Sequence, residues 1–359
     1  MGMVAVNGME WPPVPGMDPD SGFQSTTLDA TGEKVAWCGP VWFEGAGPKN
    51  ITKVGWRFNT HVVAGGSGAT LSLQNVSTAA GAPIQPDGTP DQTVAVTLPG
   101  TAGWFKSNAL SATRSVNKGE MLAVVLEFNG GGRLGADTII VQNIEQVGPV
   151  GRSLNAGLSL FTASWVIETC HPCILLEFDD GTFGRILGGY PSSTKATHTY
   201  NSGSASDEYA LRVDPPVSME VDGFWMLAKP AANTADFDVV LYEDSTTLET
   251  VSFDANAIDT ADIRVLRGAF QTVRTLRPGK IYRLSLKPTT ANNVSLYSLT
   301  MDAAAHRQAL PGGEAVARSD RADGGAWTDD TTRYVFAGFT ISGVMAGPAQ
   351  LVNNAGLVG

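Results

Sequence analysis

The chain has 359 residues, and its 35 Asp and Glu against 24 Lys and Arg leave a formal net charge of −11. An acidic surface repels phosphate backbones and anionic headgroups, which argues against nucleic acid and membrane surfaces as partners. Charged residues are only 16% of the chain, so its polar surface must come mostly from Ser, Thr, Asn, Gln and Gly, as suits a sheet protein with broad contact faces.

The length suits two hydrophobic cores rather than one. The start, MGMVAVNGMEWPP, has no basic stretch followed by a long apolar run, so it does not read as a signal peptide. Val6 stands where a myristoylation signal needs Ser or Thr. No apolar run reaches the ~20 residues that span a bilayer. Synthesis in a cytoplasm is the expectation. Three cysteines, Cys38, Cys170 and Cys173, give no disulfide framework.

Taken in chain order, the dominant pattern has period two. ATLSLQNVS (69–77), VAVTL (94–98), LAVVLEF (122–128) and DTIIVQNI (137–144) read as strands. FDVVLY (237–242), IYRLSL (281–286) and VSLYSLTM (294–301) read the same way. All are rich in β-branched and aromatic residues and are bounded by Gly, Pro, Asn or Asp. Helical periodicity is scarce, and residues 302–308 make at most one helical turn. Short alternating strands predict antiparallel sandwiches with one buried face.

The second pattern is an internal repeat. ITKVGWRF (51–58) and ATLSLQNVST (69–78) match MEVDGFWML (219–227) and FDVVLYEDST (237–246), with Gly55 aligned to Gly223. ALSATRSVNKGEMLAVVLEF (109–128) matches AFQTVRTLRPGKIYRLSLKP (269–288). There Arg114 meets Arg274, and Gly119 meets Gly279. A change of register between the blocks is a loop-length difference, which sandwiches tolerate. The expected fold is therefore all-β, with two tandem antiparallel β-sandwich modules of jelly-roll type. Residues 1–50 form an N-terminal arm with the first strands, 51–200 the first module, 205–345 the second, and 346–359 a short C-terminal tail.

Motifs that could carry chemistry are outweighed by plainer readings. CHPC, from Cys170 to Cys173, runs straight into the strand ILLEF, whereas a redox pair needs a helix N-terminus. A structural zinc site would need Cys38 and one of the scattered His61, His171, His198 and His306. ILLEFDDGTFG (174–184) is superficially similar to the TFDDG motif of polysaccharide deacetylases. That family also uses a paired-histidine metal motif and a barrel, and the residues here read as strand, Asp-Gly turn, strand. PDGTPD (86–91) and GGAWTDD (324–330) cluster carboxylates without the regular spacing of a calcium loop, so solvated turns are expected. No G-x-S-x-G elbow and no phosphate loop occurs. Neither a catalytic residue, a metal ligand nor a cofactor is assigned.

Of the eight tryptophans, Trp56 and Trp225 lie in equivalent repeat strands and are core candidates. Trp104 and Trp327 lie in Gly-rich turn contexts and are the candidates for glycan or partner contact.

The order of ITKVGWRF, DGTPDQTV, KGEMLAVVLEF, ILLEFDDGTFG, YRLSLKPTT and GAWTDD resembles virion structural proteins of tailed bacteriophages and phage-like particles. The resemblance spans roughly residues 25 to 345. It implies a non-enzymatic virion component, a capsid decoration, spike or tail-associated module, built from tandem sandwiches. Its partners would be other virion proteins, copies of itself as a symmetric oligomer and host-surface glycan, without membrane insertion. The family offers no functional residues to carry over. The competing expectation is a free carbohydrate-binding or carbohydrate-active sandwich protein.

Overall fold

A computed structural model describes residues 2–4, 9–11, 23–62, 68–77, 84–96, 103–106, 109–129, 138–145, 156–160, 164–168, 170–186, 194–200, 207–230, 236–254, 264–288, 294–301, 303–310, 312–322 and 324–346. Nearly all regular structure is antiparallel strand, with 3-10 turns at Ala304–Ala309 and Gly313–Ala315. The chain divides into two compact units. The first comprises Gly16–Ser193 with Gln308–Leu310, and the second Met1–Pro15, Thr194–Arg307 and Pro311–Gly359.

In the first unit, one layer runs Gln85–Val96, Ala69–Ser77, Met121–Phe128, Lys34–Phe43, Ala156–Leu160 and Val166–Glu168, each paired to the next. The other layer centres on the long strand Lys49–Val62. It pairs with Gly103–Lys106, Arg114–Val116, Thr138–Glu145 and Ile174–Phe178. Thr138–Glu145 is flanked by Phe23–Leu28 and Cys170–Pro172. The short strand Phe183–Ile186 bridges Ile174–Phe178 to the end of Lys34–Phe43, joining both layers into one bent sheet.

Alternation decides what this sheet buries. On Lys34–Phe43, Val35, Trp37, Val41 and Phe43 enter the main core with Trp56, Phe128 and Phe178. Ala36 and Cys38 point to the opposite face, where they meet Ala123 and Val125. Phe43 and Phe178 meet edge-on with centroids 5.2 Å apart, the geometry favoured by the ring quadrupoles.

The second unit repeats this pairing order in each layer but, among the described residues, without a counterpart of Phe183–Ile186, so its layers stay two separate sheets. Its six-stranded sheet runs Thr246–Phe253, Phe237–Glu243, Tyr282–Pro288, Glu208–Val213, Val316–Arg321, Thr328–Asp330. Its other sheet centres on Met219–Pro230, paired with Arg264–Leu276, Val294–Thr300 and Ala337–Ala346. Val294–Thr300 is again flanked by two strands, Thr194–Thr199 and Arg333–Val335. Gly2–Val4 and Met9–Trp11 extend Ala337–Ala346. Phe224 and Phe253, from the two sheets, meet edge-on at 6.0 Å in the core.

The residues aligned in the sequence repeat have matching structural duties. Gly119 and Gly279 occupy turns at φ 85° and 77°, the left-handed region that glycine enters without strain. Gly223 lies where its strand is bulged, and an added Cβ would sit 2.5 Å from the Gly268 carbonyl oxygen. Arg114 pairs with Asp91 and Glu120, and Arg274 with Glu249.

A further shared device ties the layers together at the edge. In the first unit Gln92 Oε1 accepts from the Ser111 hydroxyl and, at 3.1 Å, from Ala112 N–H. At the corresponding place Glu249 accepts from Gln271 N–H and from Arg274 Nε at 2.8 Å. Because the amide serves this place in one unit, Glu249→Gln should keep the backbone bond and lose the ionic part. The expected cost is about 1–2 kcal/mol, read as a downward shift of the urea midpoint.

Most predicted strands lie within two residues of the observed ones where both are described; 51–58 and 219–227 run on to Val62 and Pro230, and the region of residues 85–96 differs more. PDGTPD, expected as a solvated turn, is the bulged first half of the strand Gln85–Val96. Gly88 takes φ 84° there, and its N–H is held by Gln74 Oε1 at 3.1 Å. The local turn chemistry was real, but pairing with Ala69–Ser77 absorbed it as bulges.

Candidate functional site

On the strand Glu208–Val213, Tyr209 faces the other sheet. Its ring lies 4.8 Å from that of His198 and 5.1 Å from that of Tyr200. Alternation then sends Glu208, Ala210 and Arg212 to the opposite face of the six-stranded sheet. The pairing register sets Arg283, Ser285 and Lys287 beside them on one flank, and Ala317, Ser319 and Arg321 on the other.

Polar side chains on a sheet face that is largely out of water must satisfy one another. Glu208, with a side chain 1% exposed, is the centre. Its Oε1 accepts from Arg321 Nε and Nη2 at 3.0 and 2.7 Å. Its Oε2 accepts from the Tyr242 hydroxyl at 2.9 Å and the Ser285 hydroxyl at 3.0 Å. Burial, reinforced by the Glu208 carboxylate, pushes the Tyr242 hydroxyl up to about 12.

A second set adjoins the first. Arg283 donates to Ser319 Oγ at 3.0 Å and to Asp329 Oδ1 at 3.1 Å. Asp329 also pairs with Arg212 at 3.0 Å and accepts from the Ser319 hydroxyl. Trp327 closes over both sets. Its ring lies 4.4 Å from the Arg321 guanidinium, 5.1 Å from that of Arg283, and edge-on to Tyr242 at 5.6 Å.

The first unit shows the same place with different chemistry. Trp165, like Trp327, immediately precedes the short edge strand. Trp165 packs against Ala36, Cys38, Ala123 and Val125, with Val76 and Ile84 alongside. By register, Ala36 corresponds to Ala210, Cys38 to Arg212, Ala123 to Arg283 and Val125 to Ser285. Lys34 and Glu127, 2.9 Å apart, stand where the second unit has Glu208 and Lys287, with the signs exchanged. Thus one scaffold holds its tryptophan on apolar side chains, and the other on an ionic network.

Burial pushes the Cys38 thiol well above its usual range. A thiol kept from ionising is a poor nucleophile, and Cys173 is buried too. Iodoacetamide should therefore leave Cys38 and Cys173 unmodified in the folded protein and alkylate both in urea, as read by peptide mass spectrometry.

The residues singled out in the sequence fall as follows. Trp56 and Trp225 are fully buried. Trp327 is half-buried and engaged with Arg321, Arg283 and Tyr242 rather than standing free in a turn. Trp104 belongs to the strand Gly103–Lys106, and its side chain lies outside the described residues. So do the side chains of Cys170 and His171, which form the strand Cys170–Pro172.

The DDG segment is a tight strand connection. Asp180 accepts from Thr182 N–H at 3.0 Å and pairs with Lys49 at 2.9 Å, while Asp179 accepts from Asn50 Nδ2 at 2.8 Å. The Thr182 hydroxyl foremost, with Lys49, brings the Asp180 carboxyl down to about 2. Both aspartates are thus held by neighbours in the turn. In GGAWTDD, Asp329 serves the Trp327 network, and Asp330 caps Thr332 and meets Arg318 and Arg333.

Sequence reasoning missed Glu208, Tyr242, Arg283 and Arg321. Extending the repeat to the TASW and GGAW segments would have aligned Trp165 with Trp327 and exposed the contrast beneath them. Comparison with family models, with curated proteins and with solved structures finds no match to the chain.

Proposed function

We propose that the chain is a non-enzymatic structural protein on the surface of a tailed-phage or phage-like particle, a capsid decoration, spike or tail-associated module that works through its contact faces. The observation that carries this reading is the repeated strand order, in which one pairing scheme is used twice with divergent surfaces. Repetition of a contact-bearing unit multiplies weak contacts, which suits assembly on a particle. The ionic groups under Trp327 favour the same reading. Glu208 spends its oxygens on four donors, and Asp329 spends its own on Arg212, Arg283 and Ser319. Such a network fixes a surface rather than offering a base to a substrate.

Mass spectrometry of gradient-purified particles from the producing culture tests this. The expected result is the chain co-sedimenting with the shell proteins at a fixed copy number. A high number marks decoration, and a handful marks a spike or tail position. Its absence from the particles, with the protein recovered free in the supernatant, would overturn the reading in favour of a free carbohydrate-binding protein.

A further inference from the structure

In each unit one sheet ends on an edge strand at the same place, Gln85–Val96 in the first and Thr246–Phe253 in the second. The pairing registers make the two edges comparable residue by residue. Ser72 faces Thr93 as Val240 faces Thr250, and Gln74 faces Pro90 as Tyr242 faces Thr247. An edge strand presents unpaired N–H and C=O groups, and proteins blunt it with proline, bulges or exposed charge. The first unit uses all three. Pro86 and Pro90 have no N–H to offer a neighbour, the ladder shifts twice between Leu73 and Val76, and Asp87 is exposed.

The second unit keeps little of this protection. Thr246–Phe253 reads TTLETVSF, with neither proline nor a basic residue, and its single bulge lies near its start. Its one charge, Glu249, is buried and already accepts from Gln271 N–H and from Arg274. Thr250 and Ser252 are exposed. Among the described residues no strand pairs with the free side of Thr246–Phe253. Apolar surface adjoins it. Gln271 and Arg274 both reach Glu249, and Val273 between them in the chain is 55% exposed.

We infer that Thr246–Phe253 is a self-association edge, paired antiparallel with the same strand of a second copy of this chain across a two-fold axis. Such an axis stands perpendicular to the sheet, so residues directly opposite share a face. A register centred on Glu249 would oppose two like charges, which is unfavourable. The register that pairs the longest run without doing so is centred on Thr250. It sets Thr250 against Thr250 on the outer face and Glu249 against Val251 on the inner one, and a threonine pair is among the favoured cross-strand partners. One eight-residue strand buries far less than the roughly 1,600 Å² of a standard interface. Association in solution is accordingly weak, and repetition on a particle strengthens it. The inference rests on the proposed particle role only for its purpose.

Substitutions at Thr250 in the full chain test this, and because the residue is exposed they leave the core alone. Directly opposite residues of an antiparallel pair have their Cα atoms within disulfide reach. Under mild oxidation Thr250→Cys should therefore form a covalent dimer, followed on non-reducing gels against the wild type with its own three cysteines. Thr93→Cys, at the equivalent exposed position of the blunted edge, is the control. Pairing raises the effective concentration of the two thiols, so T250C should cross-link at least about tenfold faster than T93C. Charge gives a second reading by analytical ultracentrifugation. Thr250→Lys and Thr250→Glu each oppose like charges at the axis and should each weaken association about tenfold or more, whereas their mixture should associate again. Equal cross-linking rates for T250C and T93C, a wild type that stays monomeric up to about 1 mM, or a mixture of T250K and T250E no more associated than either alone would each overturn the inference. Circular dichroism melts confirm that the variants fold. Particle composition is read separately, so failure here leaves the particle reading standing, and the reverse holds.

Discussion

Replacing Glu208 with alanine is expected to destabilise the second unit by about 3–5 kcal/mol. The carboxylate is almost wholly out of water and satisfies two bonds from Arg321, one from Tyr242 and one from Ser285. Its removal leaves a guanidinium with a 10% exposed side chain and a buried hydroxyl without their acceptor. The penalty is the desolvation of those orphaned groups rather than the worth of the ion pair itself. The matching control is Glu127→Ala in the first unit. Lys34 and Glu127 are 31% and 37% exposed, and solvent screening limits that loss to roughly 0–1 kcal/mol. Urea denaturation should show a midpoint lowered by more than about 1 M for E208A and nearly unmoved for E127A. Equal losses at the two positions would contradict the buried-network account.

The second large effect is acid lability centred on His198. Burial, and then the charges of Arg318 and Arg333, lower this imidazole to about 3, against a weaker opposing pull from Asp330. The ring is 6% exposed, forms a 2.7 Å hydrogen bond with Ser298 Oγ, and lies against Tyr209. A group with a depressed folded pKa binds its proton more readily when unfolded. Between about pH 6.5 and 3 the unfolded chain therefore takes up a proton that the folded one refuses. Stability is full above that window and falls as pH drops through it, by up to about 1.4 kcal/mol per pH unit from this residue. His198→Gln keeps a neutral partner for Ser298 and does not titrate. The variant should lose most of the slope between about pH 6.5 and 5, above the range in which the lowered Asp180 and Asp330 carboxyls add their own. Urea midpoints at each half pH unit check this, and an unchanged slope in H198Q would assign the lability elsewhere.

Much of the fold is legible in the sequence because each strand states its own alternation. Val35, Trp37, Val41 and Phe43 enter one core while Ala36 and Cys38 face away, as a period of two requires. The repeat was legible at positions with matching duties: Gly119 with Gly279 for positive φ, Gly55 with Gly223 at corresponding register positions, Arg114 with Arg274 as edge ties.

What stayed hidden was non-local. Residues 23–43 pair with strands up to Ile186, and Gln308–Leu310 pack on residues more than a hundred positions earlier. No local pattern announces such contacts. The candidate site was half legible. Trp327 stood out for its glycine-rich setting, but its duty depends on Arg321, Arg283 and Tyr242, which three strands bring together. The arginines of VARSDR (316–321) carry no local mark of their duty. Only the sheet shows that Arg321 reaches across to Glu208, while Arg318 lies over Tyr209 on the inner face.

The contrast between the units also limits what the ions are for. The first unit seats Trp165 on Ala, Cys and Val side chains, so a sandwich of this pairing order does not need charges there. Buried ionic groups seldom stabilise more than well-packed apolar ones. The network under Trp327 therefore gives definition to one surface, which agrees with a protein whose work is contact.

The central claim is that this chain acts as a surface component of a particle, and electron cryomicroscopy of particles from the producing culture tests it most directly. The account predicts outward-facing density that accommodates paired β-sandwiches and disappears when the coding sequence is deleted. Particles unchanged by the deletion, with every surface density assigned to other proteins, would contradict it.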